Sequence, residues 1–191
     1  VRGKDNEALV NEVVLRSQSQ AEYSPENIGH FGLRLQRYAH FTSPIRRYAD
    51  LIVHRALISA LGLGSDGLTR GEEERLDEIA TQISATERRA MAAERDTVDR
   101  LIAGYLSEKS GETFTGRISG VTKAGLFVQL PQYGADGFIP ISTLGDDYYH
   151  FDEGARALVG ERSGKGFQLA DPVEVKLVEV APMAGAIRFE M

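Results

Sequence analysis

Arg46 and Arg47 stand side by side in the run Thr42-Ser43-Pro44-Ile45-Arg46-Arg47-Tyr48-Ala49-Asp50. Ser43 before Pro44 reads as a helix N-cap with proline at the first helical position. Apolar residues then recur at Ile45, Tyr48, Ala49, Ile52, Val53, Ala56, Leu57 and Ala60, a 3.6-residue stripe that stops at Gly62. In that frame both arginines fall in the first turn, where the helix dipole is already positive and favours acids. Two readings compete. The free N–H groups of a first turn bind anions, and two guanidinium forks beside them make a phosphate clamp. Alternatively, Arg46 pairs with Asp50 one turn on and Arg47 is solvated.

Other chemistry is scarce. His30, His40, His54 and His150 lack the spacing of metal ligands and read as local hydrogen-bonding groups. Asp146, Asp147, Asp152 and Glu153 lack the regular oxygen spacing of a calcium loop and read as a solvated acidic turn. The chain has no nucleophile elbow, phosphate-binding glycine loop or paired-carboxylate pattern.

The elements that must position these residues fall into two grammars. Residues 5–22 predict an amphipathic helix with Leu9, Val10, Val13, Val14, Ser17 and Ala21 on one face. Residues 28–42 lack a period and predict short extended pieces and loops. Thr69 with Glu72 is a capping box, and Ser84 with Glu87 is a second, which predicts a break near Ser84. An unbroken helix over 70–108 would run about 58 Å, so two helices are expected. Their buried stripe is Leu76, Ile79, Ala80 and Ile83, then Ala90, Met91, Val98, Leu101, Ile102 and Tyr105. Glu94 falls near that stripe and is expected to pair with Arg95 or a facing arginine.

After Gly111 the pattern turns to strands, over 113–119, 125–130, 137–141, 173–178 and 186–191. Five short strands with a long insertion over 142–170 fit an OB-fold barrel. The expected class is therefore α+β, mainly helical over 1–110 and a five-stranded barrel over 111–191.

The 191 residues are 42% hydrophobic and 26% charged, ordinary for a soluble globular protein. No apolar run is long enough to span a membrane. The chain has no cysteine, which excludes a disulfide framework and thiolate metal sites and fits a cytoplasmic protein. It starts at Val1 and is expected to begin inside a longer protein. The net charge of −6 lacks a nucleic-acid footprint, and both parts are acidic, −2 over 1–110 and −4 over 111–191. Any nucleic-acid contact must come from a local patch, for which Arg34, Arg37, Arg46, Arg47 and Arg55 are the candidates.

Residues Tyr38 to Arg55, with Leu15-Arg16-Ser17, Gly29-His30-Phe31-Gly32-Leu33, Glu87-Arg88-Arg89-Ala90 and Ala93-Glu94-Arg95-Asp96, resemble the RNase II/RNase R family of exoribonucleases. The resemblance covers in effect the whole chain and is nearest to the bacterial RNase R branch. It implies the C-terminal part of a catalytic domain followed by an S1-type RNA-binding domain. The implied activity is hydrolysis of single-stranded RNA from its 3′ end to nucleoside 5′-monophosphates by a monomer, using Mg²⁺ held by aspartates upstream of Val1. No metal ligand is expected in this chain, which alone should be inactive.

By the same resemblance Arg46 is the catalytic arginine that contacts phosphate near the scissile bond. Arg47 and Tyr48 join it as RNA-binding residues, although the apolar stripe also allows Tyr48 a place in the core. In the barrel, Phe127 matches an RNA-facing aromatic. Phe138, Tyr148 and Tyr149 are further candidates, with packing as their alternative. Ala124, Pro140 and Ala181 depart from the S1 pattern, so weak, salt-sensitive binding is expected. The rival readings are a non-catalytic RNA-binding protein and a structural or protein-interaction role for an acidic barrel.

Overall fold

The computed structural model describes Gly3 and residues 7–191, the side chains of Ala8 and Glu12 apart. The chain divides into two units, Ser19–Ala92 and Ala93–Met191, the second including the N-terminal segment up to Gln18. Among the described residues the helices are α1 (Glu7–Ser17), α2 (Tyr48–Leu61), α3 (Arg70–Glu73) and α4 (Leu76–Ser107). The strands are β1 (Thr113–Thr122), β2 (Gly125–Leu130), β3 (Ala135–Pro140), β4 (Tyr149–Asp152), β5 (Ala157–Gly160), β6 (Gly166–Gln168), β7 (Pro172–Ala181) and β8 (Ala186–Glu190). Among the described residues no helix is long and apolar enough to cross a membrane.

The alternation read from the sequence closes a barrel in the order β1-β2-β3-β8-β7. Along β1, Phe114 and Ile118 turn inward while Thr113, Thr115 and Arg117 face out, and β7 repeats the pattern with Val173, Val175 and Leu177 inside. Ala103 and Leu106, at the end of α4, join the same apolar cluster as Phe114, Leu126, Ile139 and Phe189. Closure leaves no open sheet edge in the barrel.

The insertion over 142–170, for which no strand is expected from the sequence, carries a second sheet of β4, β5 and β6. Its strands are only 4, 4 and 3 residues long, too short for alternation to show. Nor is its acidic turn merely solvated. Asp147 accepts hydrogen bonds from the N–H groups of Tyr148, Arg162 and Ser163 and from the Ser163 hydroxyl. The Ser163 hydroxyl leads the causes that hold the Asp147 carboxyl far below its usual range.

In Ser19–Ala92 the expected helix start is displaced. Residues 44–46 form a tight turn in which the Ser43 carbonyl accepts the N–H groups of Arg46 at 3.2 Å and Arg47 at 3.0 Å. The helix begins at Tyr48, with Arg47 as the extended N-cap residue (φ −120°, ψ 115°). Asp50 is then the acid of the first turn, so the dipole conflict read from the sequence does not arise. Gly62 caps the other end in the left-handed conformation (φ 63°, ψ 36°), as its position implied.

The capping box of Thr69 and Glu72 is present at α3. The expected break near Ser84 is absent, since the chain turns at Glu74-Arg75 and α4 then runs unbroken for 32 residues. Ser84 does not cap because its hydroxyl donates to the Ala80 carbonyl (2.9 Å) and accepts the Tyr23 N–H (2.9 Å). The apolar stripe expected on the later part of α4 is misplaced as well. Met91, Val98, Leu101 and Tyr105 are exposed, and Ala103 and Leu106 are the buried pair. Glu94 is exposed, and Arg95 pairs with Asp96 instead (3.9 Å).

Candidate nucleic-acid interface

The turn over 43–47 is held by one carboxylate. Asp50 has no exposed surface, and its Oδ2 accepts the Ser43 N–H at 2.7 Å and Arg47 Nη2 at 3.0 Å. Its Oδ1 lies 2.9 Å from Arg47 Nε, close enough for an ion pair but out of line for a hydrogen bond. His40 Nδ1 lies 3.9 Å from the same oxygen. Burial alone would raise the Asp50 carboxyl, but the Ser43 N–H and the Arg47 guanidinium outweigh it and hold it below its usual range.

Asp50 therefore grips both ends of a turn whose middle carries Arg46. The Arg46 guanidinium is exposed and, among the described residues, has no hydrogen-bond or ion-pair partner. The pairing is the reverse of the simpler sequence reading, in which Arg46 took Asp50 and Arg47 was solvated. Tyr48 is 50% exposed at the first helical position, not packed in the core. Ile45, expected on the buried stripe, is fully exposed.

Behind the turn an aromatic run supports His40. His30, Tyr38, His40 and Tyr23 meet edge to face with successive centroid distances of 5.0, 5.6 and 5.3 Å. The Tyr23 hydroxyl shares a 3.2 Å hydrogen bond with His40 Nδ1. Burial, reinforced by the Glu87 carboxylate, pushes that hydroxyl up to about 12. His54 lies flat on Phe41 (4.2 Å, 14°) and its Nε2 donates to the Phe41 carbonyl at 2.8 Å. Three of the four histidines are thus the local hydrogen-bonding groups they read as.

The arginine patch is smaller than the sequence suggested. Arg55 forks onto Glu72, Nη1 to Oε1 at 2.5 Å and Nη2 to Oε2 at 2.8 Å, and donates to the Asp66 and Gly67 carbonyls. Arg55, with Thr69, brings the Glu72 carboxyl down to about 2. With Arg47 on Asp50 as well, Arg34, Arg37 and Arg46 remain exposed and unpaired among the described residues.

On the barrel, Phe127 and Phe138 face each other across β2 and β3 with ring centroids 5.1 Å apart. Each ring lies over a glycine. A Cβ at Gly120 would come within 3.2 Å of the Phe127 ring, and one at Gly125 within 2.9 Å of the Phe138 ring and against the Ile139 carbonyl. Gly125 also has a φ of 149°, a conformation few other residues adopt. Arg188 stands opposite Phe138 in the β3–β8 register and pairs with Glu179 at 3.5 Å. Phe127 is 43% exposed, so one edge of the aromatic pair meets solvent. That exposed aromatic edge is suited to stack a base, while the Arg188 charge is taken by Glu179.

The adjacent tyrosines of the insertion part company. Tyr148 is exposed, whereas Tyr149 is buried, donates its hydroxyl to the Leu144 carbonyl (3.3 Å) and packs against Phe167. Gly120, Gly125 and Arg188 do not stand out in the sequence, and Asp50 reads there only as a partner for Arg46. The two strand glycines were the available signal, because glycine inside a strand often marks a close approach.

A model of the RNB domain matches residues 1–62, and a model of the S1 RNA binding domain matches residues 107–191. The chain is 45% identical over 196 aligned residues to ribonuclease R of Aquifex aeolicus, covering 99% of this chain and 27% of that protein. It is 42% identical over 188 residues to ribonuclease R of Escherichia coli, covering 94% of this chain and 23% of the relative. The chain thus spans about a quarter of the length of these relatives. Among solved structures, the apo form of Mycoplasma genitalium RNase R superposes with a TM-score of 0.88 at 33% identity, covering 98% of this chain and 30% of that one. The same Mycoplasma protein in complex with ribose methylated single-stranded RNA matches equally, with a TM-score of 0.88.

Proposed function

The chain belongs to the ribonuclease R family, and on that premise we propose that it is part of a hydrolytic 3′→5′ exoribonuclease that degrades single-stranded RNA to nucleoside 5′-monophosphates. Residues 1–110 complete the catalytic domain and residues 111–191 form the RNA-binding domain. The observation that carries this assignment is the turn over 43–47, which holds an unpaired Arg46 guanidinium out to solvent from a buried anchor. Its planar fork grips a phosphate in one orientation and offsets charge that develops on it. Because the turn is already fixed, little reorganisation is needed when RNA arrives.

Arg47 contributes through Nη1, which has no partner among the described residues, and Tyr48 offers its half-exposed ring at the helix start. On the barrel, Phe127 and Phe138 stack bases, with Tyr148 as a further exposed ring. The M. genitalium complexes with ribose methylated single-stranded RNA and with double-stranded RNA support RNA as the ligand.

The family implies Mg²⁺, but the residues here do not fit a metal site. Among the described residues no group of three or more His, Asp or Glu could hold a metal ion, and the Asp50 oxygens are taken by Ser43 and Arg47. Activation of water is assigned to residues outside this chain, and the chain alone is expected to leave RNA intact.

Arg46→Lys in the full-length protein tests the assignment. The substitution keeps the charge and loses the fork. Single-turnover cleavage of an end-labelled oligonucleotide should slow by about 10²–10³, while a separate titration shows little change in affinity. Wild-type cleavage at saturating RNA would reduce Arg46 to a structural residue.

A further inference from the structure

Asp50 is a buried ionised group whose bonds all serve one short segment. Its Oδ2 takes the backbone N–H of Ser43, at the start of the turn, and the guanidinium of Arg47, at its end. The Ser43 carbonyl closes the same turn from the other side by accepting the N–H groups of Arg46 and Arg47. Arg46 lies between these clamped ends and makes no side-chain hydrogen bond or ion pair of its own among the described residues. Its direction is therefore set by the backbone of the turn, and the backbone is set by Asp50.

Stability alone does not account for this arrangement. A well-packed apolar pair of similar volume often serves a fold as well as a buried ion pair does. A carboxylate differs in being directional: it can fix an N–H and a guanidinium at once, at defined angles. Val53 and His54, one turn on along the same face of α2, are only half-buried, so the site is not a general core position.

We infer that Asp50 is a positioning residue for Arg46, holding the turn over 43–47 so that the guanidinium meets the RNA phosphate in the orientation the reaction requires. This rests on the phosphate role proposed above for Arg46. Asp50 touches neither RNA nor the reacting atoms, and its effect passes through the turn.

The test is a double-variant cycle in the full-length protein, made of Asp50→Asn, Arg46→Lys and the combination. Asparagine keeps the shape and an acceptor for Ser43 but leaves Arg47 without its counter-charge. Folding is followed by circular dichroism and thermal melting, kcat by single-turnover cleavage at saturating RNA, and affinity by titration. Asp50→Asn should cost about 10- to 100-fold in kcat, the scale of a small misplacement, with affinity nearly unchanged. Since both variants disable the same guanidinium, the combination should cleave within about a factor of two of Arg46→Lys alone.

If the two losses multiply, or Asp50→Asn cleaves at the wild-type rate, Asp50 does not act through Arg46 and the inference fails with the Arg46 role intact. If Arg46→Lys itself cleaves at the wild-type rate, the phosphate role fails and this inference with it. Should Asp50→Asn not fold, Arg47→Lys takes its place in the cycle, because lysine keeps the charge opposite Asp50 but cannot reach both oxygens. The same non-additivity with Arg46→Lys is then required, and multiplying losses overturn the inference.

Discussion

In the barrel the fully enclosed side chains are apolar, among them Phe189, Ile118, Leu126, Ile139 and Leu177, whereas in Ser19–Ala92 the fully enclosed one is the carboxylate of Asp50. The other buried residues of that unit are Ala80 and Ser84, and no large apolar side chain is sealed among its described residues. Its scaffold is polar: Asp50 on Arg47 and Ser43, Glu72 on Arg55 and Thr69, Ser84 on Tyr23. Apolar burial supplies stability without direction. Hydrogen-bonded ion pairs contribute less net stability but fix angles. The barrel carries the exposed edge of Phe127 on an apolar base, while the turn that carries Arg46 is held in direction by Asp50.

The largest effect separating the two chemistries is expected in the barrel core. Phe189→Ala should destabilise the barrel by about 3–5 kcal/mol, read by urea denaturation and by loss of amide-exchange protection in β3, β7 and β8. Retained protection in those strands would mean that the apolar cluster is not what holds the barrel.

Next comes the barrel surface. Phe127→Ala should weaken single-stranded RNA binding by about 1–3 kcal/mol and lower stability by only about 0.5–1.5 kcal/mol, the scale of a lost aromatic pair. A fall in stability with unchanged affinity would make Phe127 a packing residue and remove the aromatic pair from the interface.

The polar scaffold should respond to pH in both directions. Glu72 is held down to about 2 by Arg55 and Thr69, and Asp50 is also held below its usual range. Their contribution is complete above the ordinary carboxylate value of about 4 and is lost as pH falls toward the folded values. Tyr23 is raised to about 12, so its contribution is complete below 10 and is lost as pH climbs to about 12. Amide exchange between pH 3 and 7, corrected for intrinsic rates, should show Ser19–Ala92 loosening in acid before the barrel strands. Glu72→Gln should flatten that response. Asp147, also depressed, pins the insertion loop and not the barrel, so its release should be confined to that loop. Simultaneous loosening of both units would erase the contrast.

The smallest effect is expected at Ile45, fully exposed although it stands in the apolar stripe of the motif. Ile45→Ser should change stability by no more than about 0.5 kcal/mol in thermal denaturation of the 191-residue chain. A loss of several degrees in Tm would show that Ile45 is packed after all.

By itself the sequence determined the barrel, because alternation over strands such as β1 and β7 is a local property that a closed sheet can satisfy in few ways. It also determined the capping box of Thr69 and Glu72 and the glycine end of α2, since caps depend on residues within one turn. Through its motifs it identified the family and drew attention to Arg46. Tertiary structure alone decided which arginine is free. The choice between Arg46 and Arg47 turned on where α2 begins, and Asp50 moved that start to Tyr48 by capturing Ser43 seven residues upstream. The absence of a break at Ser84 was settled the same way, by a Tyr23 N–H 61 residues away in sequence. Which face of α4 is buried depended on Ala103 and Leu106 meeting the barrel core. At Ser84 and on α4 a partner distant along the chain completed a hydrogen bond or an apolar contact, and at Ser43 a side chain seven residues on did so; helical periodicity and local capping carry no information about such partners.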